Sequence, residues 1–404
     1  MTTLSPDSFS MLRLTLTPGL GPILIGRLIE RFGSAAAACE ATFIGLRQVS
    51  GIGEGKSRTI AEGLKESGAL AAAEMELAAT LQVNVVAKGG PGYPTLLGSL
   101  PDAPPVLYVK GNLAGGGEQG DSFAVGIVGS RECTQYGLEQ AQRFGSSLAR
   151  AGLVIVSGGA RGIDSAAHRG AVSAGGRTVA VLGCGLAECY PPENADLFNQ
   201  IARNGAVVSE LPLRTAPQAE NFPARNRIIS GMSLGIVVIE AGLRSGALIT
   251  AKVAAEEHGR EVMAVPGRVD SRSSQGTHEL LKAGGALIVT DPADVIAILE
   301  TPARHQYQET HADRYGALPF LVAQADAAAK QPADGAEKKA KRPLGLSESQ
   351  GKILSQLDNG ARTIDELCEG TGMDAAALRR DVTLLEMQKR ITREGSRFVK
   401  KRRE

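Results

Sequence analysis

Apolar positions along the chain fall into two textures. Up to about Lys88 they recur at helical spacing. Leu24, Leu28 and Phe32 form one series, Ile60 and Leu64 another, with Leu70 and Met75 after them. That period puts the apolar residues on one face of amphipathic helices, so residues 1–88 are expected to form an all-α domain. From residue 89 to 300 the pattern changes. Short runs rich in Val and Ile alternate with helical stretches: Phe123–Val128, Leu153–Ser157, Thr178–Gly183, Ala206–Ser209, Gly235–Glu240, Val262–Pro266 and Ala286–Thr290. Strands that are apolar at successive positions are buried on both faces. A parallel sheet covered by helices follows, which is an α/β core of Rossmann-like kind.

Residues 301–343 lose this patterning. They are rich in Ala, Gln, Asp and Lys and end in AEKKAKRP, so they read as a linker, with at most a helical turn over Leu318–Val322. Residues 344–404 regain it. Helices are expected over Ser347–Leu357, Thr363–Gly370 and Asp374–Lys389, with Ser347, Thr363 and Asp374 as N-caps, and a hairpin over Ile391–Val399. Three helices and a hairpin make a winged helix. Asp374–Lys389, carrying Arg379 and Arg380, is its recognition-helix candidate. Winged helices also serve as protein-contact modules, and the pattern leaves both roles open.

Charge and cysteine usage narrow the setting. The net charge is +1, so any nucleic-acid site must be a local patch rather than a property of the whole surface. The five cysteines (Cys39, Cys133, Cys184, Cys189 and Cys368) are scattered, with no CxxC. That argues against a disulfide framework and fits a reducing cytoplasm. Cys184 and Cys189 have no His or further Cys at zinc spacing, so no metal is expected. No run of about 18 apolar residues occurs, and the N-terminus lacks a basic segment followed by an apolar one. A soluble protein that is neither exported nor membrane-bound is expected.

Glycine-rich turns hold the candidate chemistry. Val49–Ser57 imitates a phosphate-binding P-loop, but Ser50 stands where that motif needs its first glycine, and no strand precedes it. A helix-hairpin-helix turn is the better reading, with Pro18-Gly19-Leu20-Gly21 as a second copy. The turn either binds a phosphate on free N–H groups or simply joins two helices. In the core, Gly129-Ser130-Arg131 closes one strand. Ser157-Gly158-Gly159-Ala160-Arg161-Gly162-Ile163-Asp164 closes the next and opens a helix. Small residues there can turn N–H groups inward around an anion, and Arg131 and Arg161 add charge. Arg225 and Arg227 in Phe222–Gly231, and the small-residue helix start at Ser245-Gly246-Ala247, complete the set. Ligands of open parallel sheets bind beyond the carboxyl ends of strands, where most of these segments lie. Tyr136, Tyr190 and Phe222 are candidate stacking platforms for bases, or else core residues.

Catalytic chemistry is poorly supplied. The run from Gly158 puts Ala160 and Ile163 where a dinucleotide fingerprint has its later glycines, so NAD is disfavoured and no cofactor is expected. No nucleophile–base pair or carboxylate pair stands out. Asp164 reads as a helix cap and His168 as a structural histidine. Several glycines and arginines without a chemical partner point to binding rather than turnover.

Taken in order, these segments resemble the DNA-processing protein A family (DprA, also called Smf). The likeness runs from Tyr93-Pro94 through Asp102–Tyr108, Gly129-Ser130-Arg131 and Ser157–Asp164. It continues through Gly183-Cys184-Gly185, Tyr190-Pro191, Phe222–Ile229, Glu240-Ala241, Ser245–Ala247 and Pro266-Gly267. The resemblance implies an extended Rossmann fold that binds single-stranded DNA, protects DNA entering by natural transformation and loads the RecA recombinase onto it. It implies DNA contacts at Ser130, Arg131, Gly158, Gly159, Arg161, Arg225 and Arg227, and a homodimer formed through Gly276–Val289 with apolar contacts from Leu280, Leu281 and Ile288. It also matches the N-terminal region to a sterile-alpha-motif type of helical domain and the C-terminal region to a winged helix. Two rivals remain on residue chemistry alone. One is a nucleotide-metabolising enzyme with Glu240 as its catalytic carboxylate; the other is a winged-helix transcription regulator.

Overall fold

The computed structural model describes residues 5–114, 121 and 123–306, the segments 348–357, 362–371, 391–394 and 397–400, and residues 360, 373, 378 and 382. The chain divides into two compact units, Met1–Leu321 and Val322–Glu404.

The first unit begins with five helices: α1 (Pro6–Thr15), α2 (Pro22–Phe32), α3 (Ala35–Cys39), α4 (Phe43–Arg47) and α5 (Glu54–Thr80). Local chemistry sets their ends. Ser5, Ser34 and Thr42 each accept a hydrogen bond from a first-turn N–H, and Gly33 ends α2 at a left-handed φ of 85°. Leu28, Ile60 and Leu64 face the core as their spacing predicts, whereas Leu70 is 47% exposed. The apolar interior of these helices does not close on itself. It continues onto Val83, Val85, Val106 and Tyr108, so the helical region is seated on the sheet.

That sheet has nine strands: β1 (Val83–Ala87), β2 (Val106–Gly111), β3 (Ala124–Val128), β4 (Val154–Ser157), β5 (Thr178–Val181), β6 (Ala206–Ser209), β7 (Gly235–Val238), β8 (Glu261–Ala264) and β9 (Leu287–Ile288). Their spatial order is β1-β2-β6-β5-β4-β3-β7-β8-β9. The seven expected strands are β3 to β9, and all pair in parallel. The two strands not anticipated, β1 and β2, add antiparallel at the edge. β1 lies before residue 88, so the sheet reaches into the segment expected to be all helical.

The intervening helices are α6 (Thr95–Gly98), α7 (Gln135–Arg150), α8 (Ile163–Ser173), α9 (Ala195–Asn204), α10 (Asn221–Met232), α11 (Gly246–Glu256), α12 (Gln275–Lys282) and α13 (Pro292–Gln306). They cover both faces. Side chains alternate along each strand: Val154 and Val156 join the cluster with Ile228, Ile229 and Ala251, while Ile155 joins Phe144, Leu148 and Ile163 on the other side. Ile155 is fully buried, and trimming it to Ala would cost about 2–5 kcal/mol.

In the second unit, α14 (Glu348–Leu357) and α15 (Ile364–Thr371) pack with a hairpin of β10 (Ile391–Glu394) and β11 (Arg397–Lys400). Thr363 caps α15 in a reciprocal box: its N–H donates to Glu366 at 2.8 Å and its Oγ1 accepts from the Glu366 N–H at 3.3 Å. Arg362 bridges to Phe398, adding a third short backbone to the hairpin. Ile353, Leu357, Leu367 and Phe398 are buried between these elements. Ser347, Asp374, Arg379 and Arg380 lie outside the described residues. No helix among the described residues is long and apolar enough to cross a membrane.

Candidate nucleic-acid interface

Strand order reverses at β3. β4, β5 and β6 follow on one side of it, and β7, β8 and β9 on the other. The connections from β3 and β7 therefore leave in opposite directions, opening a crevice beyond their carboxyl ends. A cavity of about 580 Å³ lies there, lined by Gly129, Ser130 and Arg131 after β3, by Phe222, Arg225 and Asn226 of α10, and by Arg244, Ser245 and Gly246 after β7. A smaller adjoining pocket is walled by Gly158, Arg161 and Pro191, and Arg131, Ala160, Tyr190 and Phe222 line both.

The aromatic and cationic side chains interleave. The Arg131 guanidinium sits 4.9 Å from the Phe222 ring centroid, Phe222 is 5.6 Å from Tyr190, and Arg161 lies 5.9 Å from Tyr190. Arg131 is exposed, so its charge faces solvent from an apolar seat. Arg161 is also exposed and pairs with Glu193 through both Nε and Nη2; that carboxylate holds the guanidinium pKa above its ordinary value.

Backbone groups shape the floor. Gly162 adopts a φ of 73°, a left-handed conformation that favours glycine, and starts α8 directly beneath the Ser130 and Arg131 carbonyls. The Ile163 N–H donates to the Ser130 carbonyl at 3.2 Å, which locks the β3 turn to the β4 turn. The Ser130 hydroxyl is occupied locally, donating to the Glu132 carbonyl at 3.0 Å and accepting from the Glu132 N–H at 3.2 Å. Ser245 caps α11, its Oγ accepting from the Ala247 N–H at 3.3 Å, while Gly246 is exposed.

Not every expected residue arrives at the crevice. Gly129, Ser130, Arg131, Arg225, Ser245 and Gly246 line it, and Gly158 and Arg161 line the pocket beside it. Ser157 is fully buried and its hydroxyl donates to the Ile127 carbonyl at 2.6 Å. Gly159, at a φ of 64°, is buried against Phe198. Arg227 lines neither cavity: one turn along α10 faces the crevice with Arg225 and Asn226, while Arg227 pairs with Glu210 and, at 3.5 Å, with Asp102. Tyr136 is partly exposed but bonded to the Pro266 carbonyl at 2.9 Å, outside the crevice. Asn226 and Arg244 also line the cavity; the only sequence signal for Arg244 is its place before Ser245-Gly246.

Two buried acids have structural partners. Glu240, 1% exposed, accepts from the Thr134 hydroxyl at 2.8 Å and from the Thr134 N–H at 3.3 Å. Its carboxylate thus occupies the start of α7, where a dinucleotide's phosphates would sit in a fold of this plan. Asp164 accepts from the Ala160 N–H at 3.3 Å. Burial raises its pKa, opposed chiefly by the nearby Arg225, whose own pKa burial lowers to about 10.

The core carries the family signature along its whole length. Residues 84–300 match the model for DNA recombination-mediator protein A, and residues 337–396 match the DprA winged-helix domain. The chain belongs to the DNA recombination-mediator protein A family. Among its relatives, it is 38% identical to Protein Smf of Synechocystis over 72% of either chain. It is 43% identical to the DNA processing protein DprA of Streptococcus pneumoniae over 52% of this chain and 71% of that one. The X-ray structure of the pneumococcal protein superposes with a TM-score of 0.63 at 33% identity, covering 73% of this chain and 98% of that one. The family model starts at residue 84, inside β1, so the DprA core includes the antiparallel edge strands that periodicity alone did not reveal.

Proposed function

We propose that this DprA-family chain binds single-stranded DNA in the crevice at the β3/β7 reversal, protects DNA taken up in natural transformation and loads RecA recombinase onto it. The observation that carries the reading is the ladder of Arg131, Phe222, Tyr190 and Arg161. Cations aimed at phosphates and interleaved with aromatic faces are what an unpaired strand requires, since its bases are free to stack. Membership of a recombination-mediator family supports RecA as the partner.

Binding without catalysis fits the same geometry. The carboxylate that would serve a nucleotide-metabolising enzyme, Glu240, is turned onto the start of α7 and bonded to Thr134. His168 is fully buried. In this reading the helical region 1–88, the core 89–300, the linker 301–343 and the winged helix 344–404 act in the reducing cytoplasm as one homodimeric mediator. Leu280, Leu281 and Ile288 form the contact between copies. Ile288 is 60% exposed beside Leu287 on the edge strand β9, which supports that surface; Leu280 leans partly on the core.

The test is equilibrium binding of the full-length chain to a dT oligomer and to a mixed-sequence duplex across a salt series. Binding should prefer the single strand and weaken steeply with salt. Replacing Arg131 and Arg161 together by Glu should abolish it while the thermal unfolding midpoint stays near that of the unaltered chain. Undiminished binding by that variant overturns the assignment.

A further inference from the structure

Arg225 lines the crevice, yet its guanidinium is committed to the protein. The residue is 4% exposed. Its Nη1 donates to the Gly158 carbonyl at 2.5 Å and to the Val181 carbonyl, tying the end of β4 to the end of β5. Asp164, in the first turn of α8, is the acidic group that acts on it electrostatically, without a direct ion pair. A Cβ built on Gly158 would lie 2.6–2.7 Å from the guanidinium atoms. Gly158 is not in the left-handed region, so its backbone tolerates any residue; the space taken by Arg225 is what demands glycine.

A guanidinium in this position does two things for an anion site. It neutralises two strand-end carbonyl oxygens that would otherwise repel phosphate. It also fixes the turn from β4 into α8, which carries Arg161 and locks onto the Ser130 carbonyl. Drawing it out to meet a phosphate would strand both carbonyls, a loss of two charge-assisted hydrogen bonds, and would take a cation away from the buried Asp164 carboxyl. We infer that Arg225 is a positioning residue: it holds the β4–α8 turn in its anion-binding form by filling the space that Gly158 leaves, and it does not itself contact phosphate. The inference rests on the reading that single-stranded DNA occupies the crevice.

Two measurements on the full-length chain test it. The first is the slope of log affinity for a dT oligomer against log salt. Arg131→Ala, which removes an exposed contact, should reduce that slope by about 0.7. Arg225→Met should lose at least about tenfold in affinity at every salt concentration, with the slope unchanged. The second is amide hydrogen exchange of the DNA-free chain. Arg225→Met and Gly158→Ala should each speed exchange at residues 158–164 while the rest of the sheet keeps its protection. The Gly158→Ala/Arg225→Met double variant should bind no worse than Arg225→Met.

A slope reduced as in Arg131→Ala, or exchange that is unchanged in the free protein, overturns the inference and makes Arg225 a phosphate contact. So does full binding by Gly158→Ala. If Arg225→Met does not fold, Asp164→Asn/Arg225→Met, which removes both buried charges, is judged by the same two criteria. Wild-type binding by Arg131→Ala would instead refute the crevice reading, whatever Arg225 does.

Discussion

Arg161 and Glu193 hold each other through two hydrogen bonds. A phosphate arriving at Arg161 must compete with that carboxylate. Glu193→Gln keeps the shape and removes the charge, so affinity for single-stranded DNA should rise roughly two- to fivefold, read by fluorescence anisotropy with a labelled dT oligomer. A fall would take Arg161 out of the contact set. His168 makes a separate prediction. Its Nδ1 lies 2.7 Å from the Thr178 hydroxyl, which itself donates to the Ile155 carbonyl, so Nδ1 carries the proton and the buried Nε2 has no partner among the described residues. Burial, reinforced by Arg225 and Arg169, lowers its pKa from 6.5 to about 3. The unfolded chain therefore takes up a proton below about pH 6.5 that the folded chain refuses down to about pH 3, and stability falls as pH falls through that window. Between pH 7 and pH 5 the loss from this group is about 2 kcal/mol. His168→Asn should lack that component in urea titrations at the two pH values, and an unchanged pH dependence would refute it.

At the scale of elements, the two helices that begin after Arg131 and Arg161 are held at close range by glycines. A Cβ on Gly145 of α7 would run into the Ala167 backbone of α8, and one on Gly170 would run into Gln142 of α7. Gly145→Ala should destabilise the chain by about 1–3 kcal/mol in urea unfolding and also weaken DNA binding, because it pushes apart the helices that carry the two arginine turns. Loss of stability with unchanged affinity would show that the turns are held independently of this packing. Glu240 belongs at this scale too. Near Ser245-Gly246 at a strand end, it is the carboxylate that the rival enzyme reading would use, but the pairing of β7 beside β3 brings it to Thr134 at the start of α7. No local signal reports a contact made across 106 residues.

At the scale of the molecule, β9 is an edge strand with no outer partner among the described residues, and Leu287 and Ile288 on it are exposed. Two exposed apolar side chains on an unpaired edge strand favour association, and a charge there opposes it. Ile288→Lys should convert the proposed homodimer to a monomer in sedimentation velocity; a dimer that persists would move the interface elsewhere. The strand at the other edge is β1, and the apolar interior of the N-terminal helices continues onto it. The helical region is thereby coupled to the DprA core through Val83, Val85 and Tyr108, and is not held by a linker.

The sequence by itself determined the seven parallel strands, the helices between them and the glycine-rich turns at strand ends. Each is written in local terms: unbroken Val and Ile runs, a helical period, small residues where the chain must turn. The ordered motifs also carried the family. Tertiary structure alone decided which way each turn's side chains point. Arg225 and Arg227 are two residues apart on one helix, so they face different directions, and only packing tells which meets the crevice and which meets Glu210. Strands β1 and β2 escaped because an antiparallel edge is defined by its partner, and β1 is five residues following a 27-residue helix. The glycine-rich make-up of the turns was thus local, whereas the division between the exposed cations, Arg131 and Arg161, and the buried Arg225 was set by sheet order.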